Sequence, residues 1–224
     1  MESGNADGSQ NAVVLLSLLN ISQGLLIQPS CPVCRQPLPG DLENNTLCEA
    51  CRQRLELPPG GCQGHAPLSW RGLGFYRGEF RRILLKQKLT PTSRVLKGLI
   101  GALRATLPSQ EGKVLVPIPS WKRRNGNSLP AQIAQELGAS QAELLQRKRA
   151  GIGQHHLGRH QRQGNQHGAF QSPPCQHPLT IWLVDDIVTT GATAIAAKQA
   201  LQSAGHQVEG VICLGRTPSV HHRR

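Results

Sequence analysis

Asp185 and Asp186 stand side by side in the stretch IWLVDDIVTTGATAIAAKQAL, residues 181–201. Two adjacent carboxylates can accept hydrogen bonds from neighbouring hydroxyls or hold a divalent cation. A few residues on, Thr189, Thr190, Gly191 and Thr193 offer the opposite chemistry: hydroxyl donors, and a glycine that lets the backbone come close to an anion. Acids next to an anion nest repel the anion unless they face another part of the same ligand. Sugar hydroxyls and a magnesium ion at one end, with a phosphate at the other, resolve the conflict. The plainer alternative is that the acids cap a turn and TTG is a tight loop; two acids together with that phosphate-suited set count against it.

A second group with chemistry is CPVCRQPLPGDLENNTLCEAC, which supplies Cys31, Cys34, Cys48 and Cys51 as two C-x2-C pairs thirteen residues apart. Two-residue gaps let both thiolates of a pair reach one ion, and four thiolates complete a tetrahedral shell. Such a shell has no open position for substrate, so the expected role of Zn2+ is structural. Two disulfides in a secreted module are the alternative. Cys62 and His65 could replace one ligand, but their Gly/Pro-rich setting reads as a linker; Cys175 and Cys213 stand alone and read as packing residues.

Lys122, Arg123 and Arg124 follow the apolar run VLVPIP, a cationic cluster expected at a strand's carboxyl end. GQHHLGRHQRQGNQHGAF, 153–170, has no sustained apolar period and reads as a basic loop or flap.

These side chains need elements to hold them. TIWLV, 180–184, is an apolar run without alternation, as expected of a parallel strand buried on both faces, and it is read as ending just before the acids. ATAIAAKQAL, 192–201, is made of helix formers and is followed by Gly205 where a C-terminal cap belongs. HQVEGVICLG then reads as a second strand, completing a parallel βαβ unit. In such sheets ligands gather at the carboxyl ends of the strands, and a loop opening a helix presents N–H groups and the positive end of the helix dipole to an anion. Residues 77–107 carry two helical patterns split by Pro91, with Lys86 and Lys88 near the end of the first.

The chain has 224 residues, enough for a main domain and a small appendage. Lys and Arg outnumber Asp and Glu by 25 to 13, a formal +12, so the expected ligands are polyanions or phosphates. The apolar patch 12–27 lacks a basic flank and is interrupted by Asn20, Ser22 and Gln23; it reads as an amphipathic helix rather than a signal or a membrane span. A cytoplasmic location is therefore expected, with reduced cysteines. The expected division is an apolar leader over 1–29, a four-cysteine zinc module over 30–66 and an α/β domain over 67–224.

VDDIVTTGAT resembles the phosphoribosyl pyrophosphate (PRPP) motif of type I phosphoribosyltransferases, and the chain from Cys31 to the last strand is similar to the ComF family of competence-associated proteins. The flap matches that family's Q-x2-L-x4-R-x2-N-x2-G-A-F at Gln154, Leu157, Arg162, Asn165, Gly168, Ala169 and Phe170, while RRNGNSLPAQIA departs from the R-G-F-N-Q its members carry. The resemblance implies a type I phosphoribosyltransferase-like fold, a parallel sheet flanked by helices, with a small zinc-ribbon-like module. It further implies that Asp185 and Asp186 take ribose hydroxyls, with Val184, Thr189, Thr190, Gly191, Ala192 and Thr193 in the phosphate-binding motif. Lys122, Arg123 and Arg124 would receive the pyrophosphate, and Lys86 or Lys88 a phosphate. Mg2+ would accompany the diphosphate. DNA uptake and natural transformation are the implied setting, and two readings stay open. One is a phosphoribosyltransferase-class enzyme or former enzyme binding PRPP or a nucleotide. The other is a non-catalytic factor that uses the same platform to engage single-stranded DNA, a competence helicase or a DNA-processing protein.

Overall fold

In a computed structural model of the chain, the residues described are 28–39, 45–90, 93–109, 112–120, 128–138, 140–148 and 168–218. In chain order the elements are helix α1 (Glu49–Arg54), strands β1 (Cys62–Gly64) and β2 (Trp70–Phe75), helices α2 (Gly78–Gln87) and α3 (Arg94–Arg104), strand β3 (Val114–Pro117) and helix α4 (Leu129–Leu137). Strands β4 (Ser140–Gln141), β5 (Gln146–Arg147), β6 (Phe170–Gln171) and β7 (Thr180–Val188), helix α5 (Ala192–Ser203) and strand β8 (Gln207–Arg216) complete the order. Six strands form one sheet in the order β1-β2-β8-β7-β3-β4, parallel throughout except for β1. β5 and β6 make a separate antiparallel ribbon.

β7 and β8 lie at the centre because nearly every side chain on them is apolar and finds cover. Ile181, Leu183, Val211 and Cys213 pack with α5 through Ala194, Ala197 and Leu201; Trp182, Val184, Ile212 and Leu214 pack with Phe80 and Leu84 of α2, Leu99 and Leu103 of α3 and Ile133 of α4. Helices thus cover both faces, as a parallel sheet requires. The alanines of α5 bring its axis close to the sheet. Gly205 takes φ +99° just past the helix end, the left-handed conformation expected there.

Two expectations need correction. The strand holding the acids does not stop at Val184 but runs on to Val188, because β8 continues alongside and pairs Asp185 with Cys213, Ile187 with Gly215 and Val188 with Arg216. Asp185 and Asp186 are therefore inside the last turn of the ladder, not in the loop. Residues 62–64, read as linker, form β1, which pairs with Gly72, Arg71 and Trp70.

The cysteine segment is seated on α3. Gly98 permits this: a Cβ there would lie 2.5 Å from Pro32 Cγ and 2.7 Å from the Asn45 carbonyl oxygen. Cys31, Leu38, Leu47, Cys51 and Leu55 are buried in the same apolar cluster as α2 and α3. Ser93 caps α3, its Oγ accepting from the Leu96 N–H at 3.1 Å. No helix among the described residues is long and apolar enough to cross a membrane. The apolar patch 12–27, Pro91, the cluster Lys122, Arg123 and Arg124, and the flap residues Gln154, Arg162 and Asn165 lie outside the described residues.

Candidate functional site

The four predicted cysteines come together. Their Sγ atoms lie within 4.8 Å of one another, and Cys34 and Cys48 approach to 3.6 Å. Sulfurs around one Zn2+, each ~2.3 Å from the ion, would sit ~3.8 Å apart, so the set fits a tetrahedral metal such as zinc. Burial opposes ionisation of Cys31, but backbone N–H groups of Cys34, Cys48 and Val33 outweigh it and bring the thiol down to about 6. Burial pushes the Cys48 and Cys51 thiols up. Cys62 is not one of this set: its thiol faces the Gly72 carbonyl at 3.5 Å, and burial raises it to about 11. Cys213 is fully buried packing, as its apolar run implied.

At the carboxyl ends of the strands the chemistry is open. Each acid of the pair accepts the N–H of the residue after it, Asp185 Oδ1 from Asp186 at 2.8 Å and Asp186 Oδ1 from Ile187 at 2.7 Å. Their partners come from different elements. Lys88, just past α2, places Nζ 2.9 Å from Asp186 Oδ2. Arg147 of β5 acts on Asp185 through its field; its guanidinium lies 5.0 Å from the Phe170 ring centroid, and Nη1 is 3.5 Å from the Pro119 carbonyl. Burial, then the charge of Asp186, raises the Asp185 carboxyl to about 8. Asp185 therefore holds its proton more tightly than a free carboxyl does, and the protonated form can donate as well as accept.

The loop after the acids turns into α5 at Gly191, the N-cap residue at φ +82°. Pro67, in the β1–β2 connection, packs so tightly there that a Cβ on Gly191 would lie 2.8 Å from Pro67 Cγ. With glycine at the cap, no side chain at that position takes the first N–H groups of the helix. Thr190 Oγ1 accepts the Ala192 N–H at 3.3 Å, and Thr189 and Thr190 are exposed. A cavity of about 650 Å³ lies elsewhere, at the start of β3 and β4 between Arg104, Lys113 and Gly138, and does not touch the acids.

The chain is 30% identical to DNA utilization protein YhgH of Salmonella typhi, over 86% of this chain and 99% of that protein. It belongs to the YhgH family. The protein of the same name in Salmonella typhimurium strain LT2 is 29% identical over 86% of this chain and 99% of its own length, and that of Escherichia coli strain K12 is 28% identical over 84% and 90%. No protein-family model matches the chain.

In this YhgH-family chain, sequence reading found the cysteines, the acid pair and the loop, and named Lys88 without its partner. It missed Arg147 and Arg216, which meet the same edge from β5 and from the end of β8. The signal was present for Arg216: a cation closing the apolar run VICLG falls level with Val188, at the same end of the sheet as the acids.

Proposed function

We propose that this YhgH-family protein binds PRPP or a nucleotide phosphate with Mg2+ on a phosphoribosyltransferase-like α/β domain, in the service of DNA uptake. The observation that carries this is the pairing, at one strand end, of two acids with a glycine-capped helix start. Asp185 and Asp186 accept the ribose hydroxyls, and the proton on Asp185 supplies a donor to a ring or hydroxyl oxygen. Val184, just before the acids within β7, and Ala192, the first residue of α5, frame the motif. The N–H groups of the loop, with the Thr189, Thr190 and Thr193 hydroxyls, hold the 5′-phosphate. Lys88 holds Asp186 in place and exchanges that contact for a ligand hydroxyl or phosphate. Lys122, Arg123 and Arg124 neutralise the diphosphate, and Gln154, Arg162 and Asn165 close over it to exclude water. Mg2+ spreads the diphosphate charge so that both ends of the ligand are held together. The four-cysteine site holds Zn2+ and serves as a structural clamp.

Calorimetry with PRPP and Mg2+ on the wild type and on Asp185→Asn/Asp186→Asn tests the reading. Saturable heat in the wild type that vanishes in the double variant supports it; a wild type that takes up no PRPP removes it. The second reading, a non-catalytic platform for single-stranded DNA or a DNA-processing partner, is favoured by the name DNA utilization protein that the relatives carry and by the +12 charge. Its mark is affinity for a single-stranded oligonucleotide that falls steeply with added salt, as many counterions are released together.

A further inference from the structure

Arg216 is the only Arg or Lys among the described residues that is buried, at 8% exposure. A guanidinium is always charged, and burying it without a counter-charge costs several kcal/mol. Among the described residues no carboxylate forms an ion pair with it. Its cover is the face of Trp70, with the ring centroid 5.4 Å from Cζ. Its hydrogen bonds go to main chain: Nη1 donates to the Val188 carbonyl at 3.0 Å and to the Thr189 carbonyl. The Val188 oxygen is held a second time, by the Thr217 N–H at 3.0 Å.

Those two carbonyls belong to the peptide groups that open the Thr189–Thr193 loop. In a planar trans peptide the C=O and N–H vectors are antiparallel. Pulling the Val188 and Thr189 oxygens toward Arg216 therefore aims the N–H groups of Thr189 and Thr190 away from it. The peptide dipoles are lined up with their negative ends on the guanidinium and their positive ends on the far side of the loop. Such a row, backed by a full positive charge in a water-poor place, stabilises an anion in front of it. Among the described residues the acids have no such buried cation behind them; they are held by Lys88 and flanked by Arg147.

We propose that Arg216 is the positioning residue of the anion loop: from behind, it fixes the orientation of the loop amides, and the bound phosphate supplies the counter-charge that its burial otherwise lacks. The assignment rests on the sugar-phosphate reading above and adds to it a specific division of labour. Arg216 governs the terminal phosphate of a sugar phosphate and leaves the diphosphate end to other groups.

Ribose 5-phosphate and, separately, pyrophosphate with Mg2+ are titrated into the wild type, Arg216→Lys and Arg216→Met, with zinc content and a cooperative melt as checks on folding. Arg216→Lys keeps the charge but loses the planar guanidinium that lies over Trp70 and fixes Nη1 between the two carbonyls, so ribose 5-phosphate should weaken on the order of tenfold. Arg216→Met should weaken it further, and pyrophosphate should stay within about twofold in both, because its contacts lie outside this loop. Should Arg216→Met fail to melt cooperatively, Arg216→Lys carries the test. Unchanged ribose 5-phosphate affinity in folded variants overturns the assignment, and so does equal weakening of both ligands in Arg216→Lys, the mark of a merely structural residue. A wild type that binds neither ligand overturns the sugar-phosphate reading itself and this assignment with it.

Discussion

At the cysteine knuckle four sulfurs face one another within 4.8 Å, and the backbone already favours one thiolate. At the carboxyl edge Asp185 and Asp186 draw their partners from two elements, and Arg216 holds the Val188 and Thr189 carbonyls of the adjoining loop. The knuckle is closed: its four sulfurs lie within 4.8 Å of one another, a set that a single ion would complete. The edge is open, with Thr189 and Thr190 exposed beside the acids. The contrast shows in how each site deals with buried charge. The knuckle lowers Cys31 through N–H groups aimed at it, while the edge raises Asp185 by burial and by the charge of Asp186, and backs the loop with a cation. A closed site adds stability and little chemistry; an open one gives up stability to keep groups ready.

The largest expected effect comes from opening the closed site. Cys51→Ser removes one of four ligands and should lose the metal and destabilise the protein by on the order of several kcal/mol, since metal binding and folding of the segment are one process. Metal per chain by mass spectrometry, with a thermal melt, checks it; full zinc content in the variant would break the comparison at its first term.

Next is the pH dependence of the edge. Asp185 has a pKa of about 8 in the folded protein against 3.8 for a free carboxyl, so the folded state holds the extra proton between those values. Stability conferred by that proton is complete below pH 4, is lost as pH rises, and levels off above pH 8. Denaturant melts from pH 4 to 9 should show this fall, on the order of a few kcal/mol, and Asp185→Asn should flatten it. An identical pH profile in the variant would place the fall elsewhere.

A smaller effect tests whether the knuckle depends on its seat. Gly98→Leu puts a side chain where Pro32 and the Asn45 carbonyl lie, and should cost about 1–3 kcal/mol by overpacking while leaving zinc content unchanged. Loss of zinc as well would mean that the shell is completed only by docking on α3. The smallest expected change is in Lys88→Met. The pair with Asp186 is partly exposed, so its loss should cost about 0.5–1 kcal/mol. Because Lys88 also helps to lower Asp185, the midpoint of the pH profile should move upward. A midpoint that stays put would show that the Lys88 charge does not act on Asp185.

The sequence by itself determined the elements and the self-contained site. C-x2-C pairs need only local chain geometry to bring sulfurs together, and the unbroken apolar run of β7 with the alanine-rich α5 can satisfy its burial only in a parallel, helix-covered sheet. The length of β7 escaped that reading because Asp185 to Val188 are held in the ladder by β8, a partner that residue types alone do not announce. Cys62 gave the signal of a linker and became a strand for the same reason, a neighbour supplied by β2. Only the tertiary structure decided that Lys88, Arg147 and Arg216, remote from one another in the chain, converge on one sheet edge, and that Pro67 packs against Gly191. Charge acts over a few ångströms in space whatever the separation along the chain, so which acid is paired, which keeps its proton and which cation lies behind the loop were settled by the packing of β8, α2 and β5 around β7.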